Sequence, residues 1–373
     1  MFLFEKVTQT YAVAHRNTEN FIRRWLKNVR IDQLKDGEII DYSPAPEDFY
    51  QRTLDFKGTL SSAGWGDAII MVPWTLYQRY GHKEVLLENY DAMVKWHNYS
   101  VKSAAATKSG NNQYIWDTTF HYGDLMFPSM MIGNPDPMKS AKATKDLVAT
   151  AFLAHSSELL AKISNLLGKD GNQYIEYVNK VKIAFTNKFV KAGKLTSDYQ
   201  GCYVLALAFD MVEEHNLKPQ LLARLVELIR DKCPSWLYEV DHGATTIWES
   251  WAGIQPDGKV GTFSFNHYAT GCVIDWFIRN VVGLNVIKPG YKELTINPKF
   301  KGIVNDFQMK YLSANGLFTI QLKDGVYKFS IPKGCKATIY PPDTDKFLKK
   351  YLHASIKNTR ITVNSDTYQF LIA

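Results

Sequence analysis

The chain has 373 residues, 46% hydrophobic and 22% charged, which allows one large or two ordinary globular domains and excludes a disordered chain. Its net charge of +7 comes from residues 288–373, where 14 Lys and Arg face 6 Asp and Glu; with the remainder near neutral and no Arg-rich stripe, a nucleic-acid partner is excluded. No apolar run approaches a membrane span, and Glu5 and Lys6 interrupt the place of a signal-peptide core, so the expectation is a soluble chain with no membrane partner, cytoplasmic as it stands and exported if an upstream segment carries a signal.

Residues 1–15 read as the end of a helix begun upstream. Asn17 and Thr18 are cap candidates for the next one, on which Phe21, Ile22, Trp25, Leu26 and Val29 recur at helical spacing until Lys35-Asp-Gly37. Residues 36–64, with Pro44 and Pro46, read as a long loop, a length that usually signals function. Gly64-Trp-Gly-Asp67 follows, with Asp67 as the N-cap of a helix that Pro73 kinks or restarts. His82 to Tyr99 is an amphipathic helix carrying Leu86, Leu87, Tyr90, Met93, Val94 and His97 on one face, and Gly81 turns the two into a hairpin. A second loop, 103–138, holds Trp116, Asp117, His121, Tyr122 and Gly123-Asp124. Ser140 to Leu167 and Tyr174 to Val190 form another helical pair around the turn 168–171, with further helices over 200–214, 218–231 and 266–282.

Long loops thus alternate with short turns between helices. That is the pattern of a helical toroid, whose long loops gather at one end to build a site. From about Tyr291 the period changes to two. YKELTIN, LFTIQL, VYKFSI, KATIY, TRITV and TYQFLI predict a small antiparallel β-sandwich, with Asp324-Gly325 as a hairpin turn. The expected boundary lies at Lys288-Pro-Gly290, which divides the chain into a helical domain, 1–288, and a sandwich, 289–373.

The chemistry concentrates in residues 243–267. Glu249 stands between Trp248 and Trp251, before a Gly/Pro-rich loop that ends in Ser264-Phe-Asn-His267, the predicted start of a helix. Indole faces stack on pyranose rings, and a carboxylate handles protons and hydroxyls, so the pattern suits a carbohydrate. Each residue also has a plainer reading. Glu249 can cap or face solvent, Asp67 can simply cap a helix, Asp124 can hold a turn, and His267 can be structural. The cysteines at 202, 233, 272 and 335 form no metal pattern, and no nucleophile constellation or phosphate loop is visible, so no metal or cofactor is expected.

Three stretches carry a family resemblance: GWGDAIIMVPWTLYQRYGHKEVLLENYDAM (64–93), HYGDLMFP (121–128), and HGATTIWESWAGIQPDGKVGTFSFNHYATG (242–271) running on to PGYKELTINP (289–298). They resemble the bacterial α-L-rhamnosidases, inverting glycoside hydrolases with an (α/α)6 six-hairpin toroid. The resemblance spans residues from about 10 to about 340. It implies a partial toroid without its first hairpin, followed by the sandwich, and release of terminal α-L-rhamnose from glycans or glycosides. It makes Glu249 the general base and His267 and Trp65 sugar contacts. Asp67 and Asp124 stand at the family's loop acids, and Trp248 and Trp251 flank the base. Two departures follow from it. Leu125 stands where the family carries a sugar-stacking Trp, with Trp116 the nearest substitute. The family's acid-bearing Glu-Arg-x-Gly-Trp segment has no match in the chain, which implies an upstream partner segment and weak activity without it. A glycan-binding remnant, or a different exo-glycosidase or uronic-sugar lyase on a similar toroid, are the competing readings.

Overall fold

The computed structural model describes residues 18–125, 136–191, 194–197, 199–212, 236–251, 253–261, 263–267, 275, 277–298, 304, 306–340, 355–357 and 360–371. The described parts of 22–74 and 86–267 form one compact unit, and those of 18–21, 75–85 and 275–371 another.

Helix α1 (Thr18–Asp32) buries Leu26 and Val29, but Phe21 is 75% exposed. Five residues of helix carry Phe21 about 140° around the axis from Leu26, which takes it off the buried stripe. The expected loop 36–64 contains a second helix, α2 (Phe49–Lys57), capped by the left-handed Gly58, whose N–H donates to Leu54 O at 2.8 Å. Nine residues with Tyr50 and Leu54 exposed are too short and too evenly mixed to announce themselves as a helix behind Pro44 and Pro46. Glu38 closes this segment, because its buried Oε1 accepts from Thr59 Oγ1 at 2.7 Å and from Leu60 N at 3.0 Å.

Helix α3 (Ala68–Tyr80) continues through Pro73 and ends at Gly81, whose φ of 82° lets its N–H reach Tyr77 O. Helix α4 (Glu84–Ala105) starts later and runs further than the sequence predicts. It buries Leu86, Met93, Trp96 and His97, whereas Leu87 is 64% exposed. Burial lowers His97 to about 4, so its ring is neutral, and Nε2 pairs with Ser157 Oγ at 2.9 Å. Asp136 caps the next helix, α5 (Pro137–Leu166), by accepting from Lys139 N at 2.9 Å, with Pro137 in the first turn. Small buried side chains such as Ala149, Ala154, Ser156 and Ser157 let neighbouring elements approach α5 closely. Gly168 and Gly171 turn it into α6 (Asn172–Phe189), which packs back against it. A two-residue hairpin pair, β1 (Val190–Lys191) and β2 (Lys194–Leu195), precedes α7 (Gln200–Ala208). This helix stops short of the expected 214 because Asp210 takes a left-handed φ of 52° and Met211 N closes on Ala206 O at 2.7 Å. The helix expected over 218–231 lies outside the described residues, as do residues 268–274 and 276 of the one expected over 266–282. Of the latter, Asn266 and His267 are in a loop and Phe277–Val281 forms a short π-helix. Helix α8 (Trp236–Asp241) leads into the residues of the candidate site. Among the described residues no helix is long and apolar enough to cross a membrane.

The second unit contains two sheets. One orders β3 (Leu284–Lys288), β4 (Glu293–Ile296), β8 (Lys336–Ile339), β10 (Arg360–Val363) and β9 (Ser355–Lys357). The other orders β11 (Thr367–Leu371), β7 (Val326–Ser330), β6 (Gly316–Lys323) and β5 (Phe307–Ser313). Residues from both sheets, among them Leu294, Ile296, Phe318, Ile320, Phe329 and Ile339, share one core, so the two form a sandwich. Pairing is antiparallel except for β4 with β8, which is parallel. Asp324-Gly325 is a two-residue turn with φ of 50° and 71°, and Lys323 pairs with Val326 across it. The expected boundary at Lys288-Pro-Gly290 falls inside this domain. β3 already pairs with β4, and Pro289-Gly290 turns between two strands of one sheet.

Candidate active site

Residues 247–267 fold back on themselves. Gln255 N donates to Lys259 O at 2.8 Å across the Pro256-Asp-Gly258 tip, where Gly258 has φ 82°. Ile254 and Val260 form a bridge, and Gly261 N donates to Gly253 O. At the base of the loop Glu249 N donates to Ser264 O at 2.9 Å, and Ser264 N donates to Glu249 Oε2 at 2.8 Å. His267 N donates to Ile247 O at 2.8 Å, which seats the imidazole-bearing residue two positions from the carboxylate on the facing segment. Glu249 and His267, separated by 18 residues of sequence, therefore share one small platform. Glu249 is half-buried, with Oε2 held by Ser264 and no partner for Oε1 among the described residues. A backbone N–H aimed at one oxygen fixes the carboxylate's direction and leaves the other oxygen for a proton.

Trp248 does not present its ring to a sugar. It is 3% exposed and meets Phe265 edge-on at 5.0 Å, under the loop. A Cβ on Gly253 would lie 3.1 Å from its Cε3 and 3.3 Å from Phe265 Cε1, so the glycine keeps this packing close. Alternation along the chain turns Trp248 inward and Glu249 outward. Trp251 is half-buried and meets Trp236 of α8 edge-to-face at 5.4 Å, and its indole N–H is buried with no partner among the described residues.

One residue in this region is legible only in the structure. Glu239 of α8 is 2% exposed, and its Oε2 accepts from Trp248 N at 3.2 Å, immediately before the candidate base. Burial raises its carboxyl to about 7, against the lowering effect of that N–H. The sequence signal is a lone acid in the apolar run Trp236-Leu-Tyr-Glu-Val240.

The Gly64-Trp-Gly-Asp67 turn separates its two candidates. Trp65 is half-buried and packs on Tyr122 at 5.3 Å and Tyr42 at 6.3 Å, forming an aromatic group whose Tyr122 hydroxyl donates to Asp41 Oδ2 at 3.2 Å. Asp67 is 1% exposed. Its Oδ1 accepts from Trp96 Nε1 at 3.0 Å and Ser156 Oγ at 2.5 Å, and its Oδ2 accepts from Gly64 N at 2.6 Å. Its backbone carbonyl begins α3, as a cap's does, but its side chain points back into the turn and across to α4 and α5. Desolvation raises its carboxyl, which the three donors only partly offset. With both oxygens engaged and the residue buried, Asp67 is a structural anchor rather than a sugar contact.

Asp124 follows Gly123, which sits at φ 58° against α5, where a Cβ would come within 2.5 Å of Thr144 Oγ1. Asp124 N and the Thr144 hydroxyl are hydrogen-bonded at 2.7 Å, and Ser140 Oγ donates to Asp124 O. Its half-buried carboxylate lies against Gly201, where a Cβ would be 2.3 Å from Oδ2. Trp116 does not stand in for the missing aromatic at Leu125, because it is fully buried between Trp96 and His121. His121 is buried as well, with Nδ1 accepting from Ala63 N at 3.0 Å. Asp117 lies between Lys108 and Lys188. Burial works to raise its carboxyl, but the two ammonium groups outweigh it and hold it below its ordinary value. Among the described residues no group of three or more His, Cys, Asp or Glu side chains could hold a metal.

Comparison with known proteins gives a consistent picture. The sequence profile of the bacterial alpha-L-rhamnosidase 6 hairpin glycosidase domain matches residues 5–233 and 228–281, and that of the bacterial alpha-L-rhamnosidase C-terminal domain matches residues 283–353. An alpha-L-rhamnosidase of Streptomyces avermitilis is 31% identical over 367 residues, covering 86% of this chain and 33% of the relative. One from Formosa agariphila is 31% identical over 322 residues, covering 74% of this chain and 32% of the relative. The chain thus spans about a third of the length of these curated relatives. The crystal structure of the Streptomyces avermitilis alpha-L-rhamnosidase complexed with L-rhamnose superposes with TM-score 0.81 at 26% identity, covering 100% of this chain and 38% of that one. The structure of alpha-L-rhamnosidase from Dictyoglumus thermophilum shares the fold, with TM-score 0.79 at 24% identity over 99% of this chain and 45% of that one.

Proposed function

Because the chain belongs to the bacterial α-L-rhamnosidase family of six-hairpin glycosidases, we propose that it acts on terminal α-L-rhamnosyl groups, with Glu249 as the general base of an inverting hydrolysis. The observation that carries this is the reciprocal pair between Glu249 and Ser264, which holds Oε2 and leaves Oε1 to take a proton from water. Water's oxygen bonds to the anomeric carbon as the bond to the leaving oxygen breaks, and Glu249 receives the water proton. The leaving oxygen needs a proton from a second carboxyl about 6.5–9.5 Å away. His267 on the facing segment and the Trp65–Tyr122 group are the proposed sugar contacts, with Trp251 and Asp124 at the periphery.

Neither Asp67 nor Asp117 is suited to be the acid. One is buried and fully hydrogen-bonded, and the other is kept ionised by two lysines. Loss of a general acid typically costs about 10²–10⁴ in rate, least when the leaving group is already stable as an anion. The proposal is therefore slow cleavage of 4-nitrophenyl α-L-rhamnoside, and slower cleavage still of an alkyl rhamnoside. The test is the release of nitrophenol by the wild type and by Glu249→Gln, with the anomer first formed followed by NMR. Slow turnover giving the inverted sugar, abolished in the variant, supports the reading. Turnover unchanged in Glu249→Gln, or a retained anomer, overturns it. The same isolation of Asp67 and Asp117 favours a second reading, a glycan-binding protein without turnover, which the assay separates as rhamnose binding with no product.

A further inference from the structure

The sheet that orders β11, β7, β6 and β5 has one face in the sandwich core and one face outward. Alternation buries Phe318, Ile320, Leu322, Tyr327 and Phe329 and turns the intervening residues out. Register then sets the outward residues in rows across the strands. Lys310, Thr319 and Ser330 form one row, and Gln308, Gln321 and Lys328 form the next, with Lys323 beyond it on β6. Among the described residues Gln308, Lys310, Thr319, Gln321, Lys323 and Lys328 make no side-chain hydrogen bond or ion pair. None of these four strands contains an Asp or Glu. The other sheet is built differently, because Lys288 of β3 lies opposite Glu293 of β4 and is paired with it at 2.6 Å.

Three lysines with no carboxylate among them leave this face positively charged, and opposite charges that would neutralise them across the strands are missing. Lys310 and Lys328 stand two strands and two residues apart, about 12 Å at a strand spacing of about 4.8 Å and a rise of about 3.4 Å per residue. The charge is therefore spread over the face and not focused at one point, which suits an extended polyanion. Between the lysines lie the amides of Gln308 and Gln321 and the hydroxyls of Thr319 and Ser330, groups that both donate and accept, as a hydroxyl-rich chain requires. The two rows hold no apolar side chain, and the nearest apolar pair, Leu312 opposite Leu317, lies one row beyond, so a lipid surface or an apolar peptide is not matched. They hold no aromatic ring on which a base could stack and no Arg to grip a phosphate with two hydrogen bonds, so a nucleic acid is not matched either.

We propose that the outward face of this sheet is a docking surface for an acidic polysaccharide, whose carboxylates pair with Lys310, Lys323 and Lys328 and whose hydroxyls meet the amide and hydroxyl rows between them. The surface belongs to the sandwich, takes no part in the chemistry of Glu249, and stands whether or not the chain turns a substrate over.

The test is affinity electrophoresis of the full chain in gels containing polygalacturonate, a polymer of uronic acid that carries no rhamnosyl group, beside gels containing its neutral methyl ester or double-stranded DNA. The wild type runs beside Lys310→Glu with Lys328→Glu, beside Lys292→Glu with Lys336→Glu as a control of equal charge on exposed lysines outside this face, and beside Glu249→Gln. Circular dichroism confirms that each is folded, and the single variant Lys328→Glu keeps the test decisive if the first pair is not. The expected result is retardation by polygalacturonate that added salt weakens, that persists in the control pair and in Glu249→Gln, and that falls at least about tenfold in affinity in Lys310→Glu with Lys328→Glu, a change of about 1.4 kcal/mol. No retardation of the wild type overturns the proposal, as does retardation unchanged by the lysine variants or equally lost in the control pair. Equal affinity for the methyl ester or for DNA also overturns it. Retardation lost in Glu249→Gln moves the polymer to the base-bearing loop and overturns it too. None of these outcomes bears on rhamnoside hydrolysis, which the nitrophenol assay reads separately.

Discussion

Replacing Asp67 separates an anchor from a sugar ligand. Asp67→Ala strands three buried donors, the N–H of Gly64, Nε1 of Trp96 and Oγ of Ser156. At about 1–3 kcal/mol for each unsatisfied group, the cost is on the order of 3–9 kcal/mol, a large part of the roughly 5–15 kcal/mol that holds a domain together. Asp67→Asn keeps an acceptor where Trp96 and Ser156 converge but turns an amide N–H toward Gly64 N, so only one partner is lost, at about 1–3 kcal/mol. The variant also removes a pH dependence. Burial raises the folded-state value of Asp67 above its ordinary 3.8, so the folded protein binds a proton that the unfolded chain releases. The contribution of Asp67 to stability is therefore greatest below pH 3.8 and falls as pH rises through its raised folded-state value. Urea unfolding of the wild type and both variants across that range measures the costs and the slope, and rhamnose affinity is measured on the folded Asp67→Asn protein. The reasoning fails if Asp67→Asn matches the wild type in stability while losing sugar affinity, because that result puts the carboxylate on the ligand.

Gly66→Ala places a Cβ 2.3 Å from Trp96 Cη2, in a ring that is fully buried and tied to Asp67 through Nε1, so a loss of about 1–3 kcal/mol in chemical denaturation is expected. An unchanged midpoint means the ring yields freely. Glu239→Gln tests the buried carboxyl on α8. With a folded-state value near 7 against 4.5 unfolded, the wild type loses stability relative to the variant as pH rises from 4.5 to 7, and a flat difference in Tm across that window contradicts the assignment.

Much of the architecture follows from periodicity and punctuation alone. The 3.6-residue pattern and the glycines at 81 and 168 announce the helices α3 to α6 and their turns, and the shift to a period of two announces the sandwich. Asp324-Gly325 turns as its residue types require, since both positions have positive φ. Short or interrupted elements are less legible. Helix α2 is hidden behind prolines, and Pro289-Gly290 marks a turn within a sheet as readily as a linker between domains.

At the candidate site, sequence singled out a stretch, because Glu249, its flanking indoles and His267 are unusual residue types close together. It could not say which way each side chain faces. Trp248 and Glu249 are neighbours in the chain, yet one is packed beneath the loop and the other is pinned by Ser264 on the facing segment. Asp67 resembles a loop acid until Trp96 and Ser156, 29 and 89 residues away, are seen to use it. Glu239 is one acid in an apolar helix until its oxygen meets Trp248 N. Local pattern determines which residues form an element, since backbone preference and hydrophobic period act over a few residues. Burial and hydrogen-bond partners come from contacts distant in sequence, so only the folded chain decides which carboxylate is an anchor and which is left to do chemistry.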